Sequence, residues 1–338
     1  MSPGSCICLV LLSLRLNSLK LVHIGGLSSG VPTAASMLLA YLPGGRVYPV
    51  LPQGETKEKV SDDVVPNENG EHECHWSYDG VKGPKPDKWG DLVFCMPGSV
   101  CDRGSVQSPI EIPSGLSEES ANLKLENYDK GFAKFDVDVD GHAIMVMIKE
   151  GGAAPSVESE DVLGEGKFVL KQFHFHLGTN DSRGAEHKID EAGHGFPMEA
   201  HFVHAKEGKS SVNEALKEPG NVLVVAVLFQ VEDTPADDKA DAALQAIVDK
   251  IGVTTDSVKK LKLDDFIGPI TSYYNYKGSL TTPPCTEGVE WIVLDSHPSV
   301  KKKTLQALRD KSPKVPKDNF RPYKTSQNRE VKKYTTTT

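Results

Sequence analysis

The first 54 residues contain no aspartate or glutamate, although they include three basic side chains. The apolar run at residues 6–14 is too short to span a bilayer, and the basic beginning of a secretory signal is missing. An acid-free start of this kind is typical of a targeting segment, so we expect residues 1–54 to be removed. A bipartite signal, a transit peptide, a translation start at Met37 and a retained tail are the alternatives.

The rest of the chain has no excess of positive charge. Residues 55–338 carry 35 basic and 47 acidic side chains, a net charge of −12. Nucleic acid is excluded as a partner because its phosphates would be repelled. Charged residues make up 25% of the sequence and hydrophobic ones 38%, which indicates a soluble globular protein without a transmembrane span in the mature domain. Residues 55–71 are polar and predict a flexible linker.

No two cysteines have the Cys-x-x-Cys spacing of a zinc ribbon. Two of the six, Cys6 and Cys8, fall within the expected targeting segment. The four that remain form an even set with three possible pairings: Cys74, Cys95, Cys101 and Cys285. We interpret them as disulfides of an oxidising compartment, with four unpaired thiols as the alternative. The protein is therefore expected to be secreted or periplasmic, or to reach a plastid lumen through a bipartite signal.

Alternating or continuous apolar residues predict strands at 135–139, 143–148, 167–177, 197–204, 221–231 and 291–294. Helical periodicity is limited to residues 236–251, 299–308 and, over a shorter length, 256–261. We therefore expect residues 72–331 to form one mainly β (α+β) domain. It would be built around a large, twisted, mostly antiparallel central sheet with a few short peripheral helices. The low-complexity tail at residues 332–338 predicts disorder.

Two strand segments carry histidines in a pattern that suits a metal ion. Because side chains alternate on a strand, His174 and His176 share a face with Gln172, and Glu199 shares a face with His201. Turn residues between the segments allow the strands to lie side by side, so that the three imidazoles can converge. Three neutral imidazoles suit Zn²⁺ and leave a fourth position for water. The His-x-His pair alone also occurs on exposed polar strands, and the second segment makes the metal site the better interpretation.

Further motifs follow one another along the domain: HWSY at 75–78, QSPI at 107–110, GHA at 141–143, AEH at 185–187, SLTTPPC at 279–285, EWIVL at 290–294, NFRP at 319–322 and NR at 328–329. Together with QFHFH at 172–176 and EAHFVH at 199–204, they resemble the α-carbonic anhydrases over most of residues 75–330. The resemblance implies reversible hydration of CO₂ to bicarbonate and a proton, by attack of a zinc-bound hydroxide. Hydrolysis of activated esters is an expected side activity.

The resemblance also implies a role for each residue that matches a family motif. The ligands of a single Zn²⁺ would be His174, His176 and His201. Thr281 would orient the hydroxide and donate a hydrogen bond to Glu186, and His142 would export the proton. The ligands and the hydroxyl network would be supported by Gln172, Glu199, Asn319, Tyr78 and Tyr276. CO₂ would lie against Val203, Val224, Leu280, Thr281, Thr282, Val289 and Trp291.

By the same resemblance, Cys101 and Cys285 match the family's half-cystines. A Cys101–Cys285 disulfide is therefore favoured, with Cys74–Cys95 as the second bridge and Cys95–Cys285 as the competing arrangement. His187 and His204 match positions that are usually structural. Two other interpretations are a carbonic-anhydrase-like module without activity and an unrelated iron-binding His-x-His protein. The complete ligand trio argues against the first, and the SLTTPPC motif against the second.

Overall fold

The computed structural model describes residues 38–41, 47–50, 74–149, 153–254, 260–326 and 329–336. The chain divides into two units, residues 1–60 and 61–338. In the first unit, the described residues form one antiparallel hairpin of strands β1 (Leu38–Tyr41) and β2 (Val47–Val50). The rest of the expected targeting segment and the linker at residues 55–71 lie outside the described residues, so both remain predictions.

The strands of the second unit are β3 (Glu111–Ile112), β4 (Glu118–Ser120), β5 (Lys124–Glu126), β6 (Phe135–Val139), β7 (Ile144–Ile148), β8 (Ser156–Glu158), β9 (Phe168–Leu177), β10 (Lys188–Ile189), β11 (Met198–Lys206), β12 (Val222–Glu232), β13 (Ser272–Ser279), β14 (Glu287–Leu294), β15 (Ser299–Lys301) and β16 (Val331–Thr335). The α-helices are α1 (Glu160–Leu163), α2 (Val212–Ala215), α3 (Lys239–Lys250), α4 (Asp264–Ile267) and α5 (Lys302–Lys311). Two 3₁₀ helices occupy Pro86–Phe94 and Asp190–Ala192. Among the described residues, none of the helices combines the length and the apolar character needed to cross a membrane.

Most of the strands join one central sheet. Its main path runs β4-β16-β13-β14-β12-β11-β9-β7-β6, with β5, β8 and β15 paired beside it. Three pairs in this sheet are parallel, β4–β16, β12–β14 and β12–β15, and the others are antiparallel. The prediction of a mainly β domain around a large, mostly antiparallel sheet with a few short helices is confirmed.

Strand β12 lies at the centre of the sheet because its sequence is apolar on both faces. Its first eight residues are buried, as expected of a strand that is covered on both sides. Alternate side chains enter two different cores. Val225 and Val227 pack with the phenylalanines of β9 and β11 in the larger core, and Val224 packs with Trp291 in the smaller core. The sheet thus separates two apolar layers.

The longer helices cover the larger core with one apolar face each. Helix α3 buries Ala240, Ala243, Leu244 and Ile247, whose spacing of three and four residues is that of an amphipathic helix. Helix α5 adds Leu305 and Leu308. The prediction of helices near 236–251 and 299–308 was right in type. Helix α5 begins three residues later than expected because residues 299–301 pair with β12 as strand β15. The short helix expected at 256–261 falls largely outside the described residues.

The prediction of a disordered tail was wrong for residues 332–335. They belong to β16, which pairs with β13 on one side and β4 on the other. Tyr334 stacks on Tyr273 with 5.4 Å between ring centroids. The Lys333 ammonium lies within 3.4 Å of carboxylate oxygens from Glu118, Glu191 and Asp295. Composition alone suggests a solvated tail, but ion pairs and sheet hydrogen bonds from distant segments order it.

Candidate metal centre

Two neighbouring strands place the three predicted histidine ligands opposite one another. In the antiparallel pair β9–β11, His174 faces His201 and His176 faces Glu199. Strand alternation sends Phe173 and Phe175 into the larger core on the other side. The register of the pair shifts between Val203 and His204, after the ligand His201 has been placed. The paired strands therefore present the imidazoles from one face, as the sequence predicted.

The three imidazoles converge on a single point. One ring nitrogen from each of His174, His176 and His201 lies within 4.8 Å of the others. His176 Nε2 lies 3.1 Å from His201 Nδ1. His176 and His201 are each 1% exposed, and His174 is partly buried. The cluster is thus open on the His174 side.

The outward nitrogen of each imidazole faces an oxygen acceptor. His174 Nδ1 lies 2.9 Å from Gln172 Oε1, His176 Nδ1 lies 2.7 Å from the Asn319 carbonyl, and His201 Nε2 lies 2.7 Å from Glu199 Oε1. These oxygens accept hydrogen bonds, so each outward nitrogen carries the ring proton. The inward nitrogens carry no proton and present their lone pairs. They are Nε2 of His174, Nε2 of His176 and Nδ1 of His201.

Burial keeps these rings neutral. It lowers the pKa of His176 to about 4, and it lowers the pKa of His174 and of His201 as well, with mutual repulsion among the rings as a further cause. The three converging lone pairs therefore have no proton to share at neutral pH, and they would repel one another without a cation between them. Three neutral imidazole donors in this arrangement fit Zn²⁺.

Glu199 connects the ligand His201 to a second buried histidine. Its Oε1 also accepts from His187 Nδ1 at 2.6 Å, and its Oε2 accepts the backbone N–H groups of Glu186 and His187, both at 2.8 Å. His187 Nε2 lies 2.7 Å from the Tyr276 hydroxyl, which donates to Ser108 Oγ. Burial alone would raise the pKa of Glu199, but His187 and His201 lower it well below its usual value.

His187, Glu199 and His201 also meet the spacing of a metal site. However, both histidines already hydrogen bond to the same carboxylate oxygen, Glu199 Oε1, at 2.6 and 2.7 Å. A metal in this place would have to displace both protons. We therefore interpret these three residues as a hydrogen-bonded chain that fixes the orientation of His201.

Glu186 lies directly beside the imidazole cluster. Its Oε1 accepts the backbone N–H of Arg321 at 2.7 Å, and its Oε2 lies 3.4 Å from His176 Nε2 and 3.9 Å from His201 Nδ1. Oε2 has no well-formed hydrogen bond among the described residues. Burial raises the pKa of Glu186 to about 7, against opposing contributions that include the Thr281 hydroxyl. The hydrogen bond predicted between Thr281 and Glu186 is not formed among the described residues and stays a prediction.

The apolar residues predicted to hold the substrate lie together on the histidine side of the sheet. Members of the smaller core are Val203, Val224, Val289 and Trp291, with Leu280 packed against it. The Trp291 ring lies 4.9 Å from that of His201, which places this core next to the imidazole cluster. Thr281 is buried and Thr282 is partly exposed.

His142 lies at a turn, away from the three ligands. Its ring stacks on Trp76 with 3.9 Å between centroids, and its Nε2 lies 3.0 Å from the Trp76 carbonyl oxygen. Asp140 Oδ1 accepts the backbone N–H groups of His142 and Ala143, which fixes the turn. The His142 side chain is 38% exposed, so it contacts solvent from a defined position.

Both disulfides have the predicted pairing, Cys101–Cys285 and Cys74–Cys95. The four half-cystines pack with Tyr78 and Trp89 in a third apolar cluster. Burial raises the pKa of Tyr78 well above its usual value, so its hydroxyl stays protonated. Two disulfides indicate an oxidising compartment outside the cytosol.

Arg321 is a supporting residue that the sequence did not single out. Its guanidinium is almost fully buried and donates to Gln107 Oε1 and to the carbonyls of Ser108 and Cys101. Its backbone N–H holds Glu186. The local sequence pattern does not predict a buried arginine. The one feature of the sequence that could have identified Arg321 is its place in the NFRP motif. His187 was expected to be structural, and the structure shows that its contacts include Glu199, the partner of a candidate ligand.

Residues 84–335 match the family model of the eukaryotic-type carbonic anhydrases. A carbonic anhydrase of Neisseria gonorrhoeae is 34% identical over 232 residues, which cover 68% of this chain and 77% of that protein. Carbonic anhydrase 6 of Mus musculus is 33% identical over 65% of this chain and 67% of its own length. A carbonic anhydrase of Pectobacterium carotovorum is 32% identical over 66% of this chain and 77% of its own length.

Proposed function

Because the chain belongs to the eukaryotic-type carbonic anhydrases, we propose that it hydrates CO₂ reversibly to bicarbonate and a proton with one Zn²⁺ held by His174, His176 and His201. The observation that carries this proposal is the convergence of three imidazole lone pairs whose outward nitrogens are all hydrogen bonded. Zinc bound to three neutral imidazoles supplies a hydroxide nucleophile near neutral pH, which is its known behaviour in carbonic anhydrases.

Gln172, Glu199 and the Asn319 carbonyl hold the ligand protons on the outer side of each ring. This fixes the tautomers, so that the inward nitrogens are always available as donors to the metal. Glu199 is itself held by two backbone N–H groups and by His187. The carboxylate therefore cannot rotate away from His201 without breaking three other hydrogen bonds.

Thr281 and Glu186 orient the nucleophile. The Glu186 carboxyl is buried, and its Oε2 faces the imidazole cluster. If the Thr281 hydroxyl donates its proton to Glu186, its oxygen would accept a hydrogen bond only from the side where the nucleophile lies. Tyr276 and Tyr78 hold the surrounding hydroxyl network with protons that do not dissociate near neutral pH.

CO₂ has no dipole, so an apolar surface next to the nucleophile suits it better than hydrogen-bond donors. Such a surface is formed by Val203, Val224, Leu280, Val289 and Trp291. Thr282, in the middle of the SLTTPPC motif, is partly exposed and would line the entrance to this surface. The same apolar side chains offer the charged product bicarbonate no hydrogen-bond donor, so they do not hold it.

His142 carries the proton from the centre to solvent. Its exposed ring, held against Trp76, can exchange protons with buffer. The same nucleophile would hydrolyse activated esters slowly. The two disulfides support a secreted or periplasmic location, with a plastid lumen as the alternative.

Thr281→Val tests this assignment. The variant keeps the size of the side chain but removes its hydroxyl, so the nucleophile loses its orientation while the three ligands remain. We expect CO₂ hydration, measured by stopped flow, to fall about 100-fold, with one zinc per chain retained by metal analysis. Thr281→Ser, which restores the hydroxyl, is the matched control and should recover most of the rate. A Val variant with wild-type turnover would remove Thr281 from the mechanism, and an inactive zinc-loaded wild type would reject the function.

A further inference from the structure

A separate cleft borders the segment that carries Glu186 and His187. Its volume is 560 Å³, and its walls come from residues 182–183, 185–188, 194–196 and 320–323. This volume lies within the range of small-molecule sites in proteins. Glu186 and His187 belong to its lining, but both side chains are buried. A ligand in the cleft would therefore contact mainly the other lining residues.

Cationic side chains lie over aromatic rings in the walls. The Arg183 guanidinium lies 5.0 Å from the centroid of the Phe320 ring, and the Lys188 ammonium lies 5.7 Å from that of Tyr323. The Tyr323 side chain is 45% exposed, which is high for a large ring in a folded domain. A flat apolar molecule can stack on such rings, and a cation beside them attracts a negative charge on that molecule.

Arg183 is the cation that remains available to a ligand. Lys188 is already paired with Glu111 and Asp190. Arg183 is exposed and forms no ion pair with any residue in the described ranges. The carboxyl group in the lining belongs to Glu186, which is fully buried and accepts the backbone N–H of Arg321 at 2.7 Å. Arg183 therefore offers the cleft a positive charge with which the carboxylate of a ligand can pair.

The walls of the cleft are preformed by close backbone packing. A Cβ atom at Gly195 would lie 2.2 Å from the Ser182 carbonyl oxygen, and one at Gly184 would lie 1.9 Å from that of Pro197. The Ala185 backbone N–H donates to the Phe196 carbonyl at 2.9 Å. Because the two loops are already locked together, a ligand would not have to order them on binding.

We infer that this cleft binds a small aromatic carboxylate, whose ring lies against Phe320 and Tyr323 and whose carboxylate pairs with Arg183. The inference does not depend on the metal centre or on the proposed activity.

Benzoate titrated into the zinc-loaded protein and followed by ligand-observed NMR tests the inference. We expect saturable binding that weakens about 5- to 20-fold in Arg183→Ala, because the charge-assisted hydrogen bonds to the carboxylate are lost. Tyr323→Ala should weaken it through the loss of ring contact. Benzamide, which lacks the charge, and acetate, which lacks the ring, should each bind more weakly than benzoate.

Arg103→Ala is the matched control, because Arg103 is also exposed but lies outside the cleft. Its benzoate affinity should equal that of the wild type. The inference is overturned if Arg183→Ala binds benzoate as tightly as the wild type, since the ligand would then lie elsewhere, for example at the metal centre. Absence of saturable binding to the wild type at concentrations up to about 10 mM would overturn it as well.

Discussion

The two faces of β9 and β11 share one backbone but stabilise the protein and its site by different interactions. On one face, each histidine is held by a single directed hydrogen bond to an oxygen acceptor. On the other face, Phe173 stacks on Phe202 with 4.9 Å between ring centroids, inside the larger core. Apolar burial on the second face stabilises the fold. On the first face, buried polar groups cost free energy unless they are hydrogen bonded. A substitution on either face should therefore have a distinct signature.

His201→Ala should have the largest effect on activity. The variant loses one of three ligands and leaves Glu199 without one of its two imidazole partners. Loss of an outer partner alone lowers metal affinity by about 10- to 100-fold, so loss of a ligand should cost more and remove nearly all hydration. Zinc content and stopped-flow turnover measure the effect. His194→Ala is the control because His194 is exposed and outside the trio. A His201→Ala protein that keeps its zinc and its rate would contradict the ligand assignment.

His142→Ala should have an intermediate effect. The ligands and Thr281 remain, so the conversion of CO₂ itself should continue, while export of the proton to solvent becomes slow. We expect turnover in weak buffer to fall roughly 10- to 100-fold, with partial recovery when imidazole is added. Stopped-flow rates at increasing buffer concentration measure this dependence. If wild type and variant respond identically to buffer, another group exports the proton.

Phe202→Ala should have the smallest effect on turnover and the largest on folding. The side chain is fully buried in the larger core, and removing it leaves a cavity that costs about 3–5 kcal/mol of unfolding free energy. Because the phenyl ring points away from the imidazoles, the rate per folded molecule should stay near that of the wild type. Denaturant unfolding and active-site-normalised kinetics test both parts. A large loss of rate with little loss of stability would mean that the two faces are not separable.

The site was more predictable from the sequence than the segments that support it. Alternation on a strand is a local property, so spacing alone places His174 and His176 on one face. His201 could join them because the turn residues between the two segments allow their strands to lie side by side. The outer partners Gln172 and Glu199 lie two residues from a ligand, and the same rule places them. Family motifs supplied Asn319, which is 143 residues from His176 and contacts it through its backbone.

Other parts of the fold depend on distant segments and had no local signal. Strand β13 contains tyrosines, Asn275 and Lys277 instead of an alternating apolar pattern. It is a strand because β14 and β16 pair with its two edges. The same holds for the tail at residues 332–335, which pairs with β13 and β4. Its Lys333 forms ion pairs with three carboxylates from separate elements. The buried guanidinium of Arg321 also depends on acceptors that come from residues 101–108.

The proposed function depends on one zinc ion bound by the inward lone pairs of His174, His176 and His201. A crystal structure of the zinc-loaded protein, with the metal located by its anomalous scattering, tests it most directly. We expect one zinc ion bound to Nε2 of His174, Nε2 of His176 and Nδ1 of His201, each at about 2.0–2.1 Å. A zinc ion bound instead among His187, Glu199 and His201, or no anomalous peak between the three rings, would contradict it.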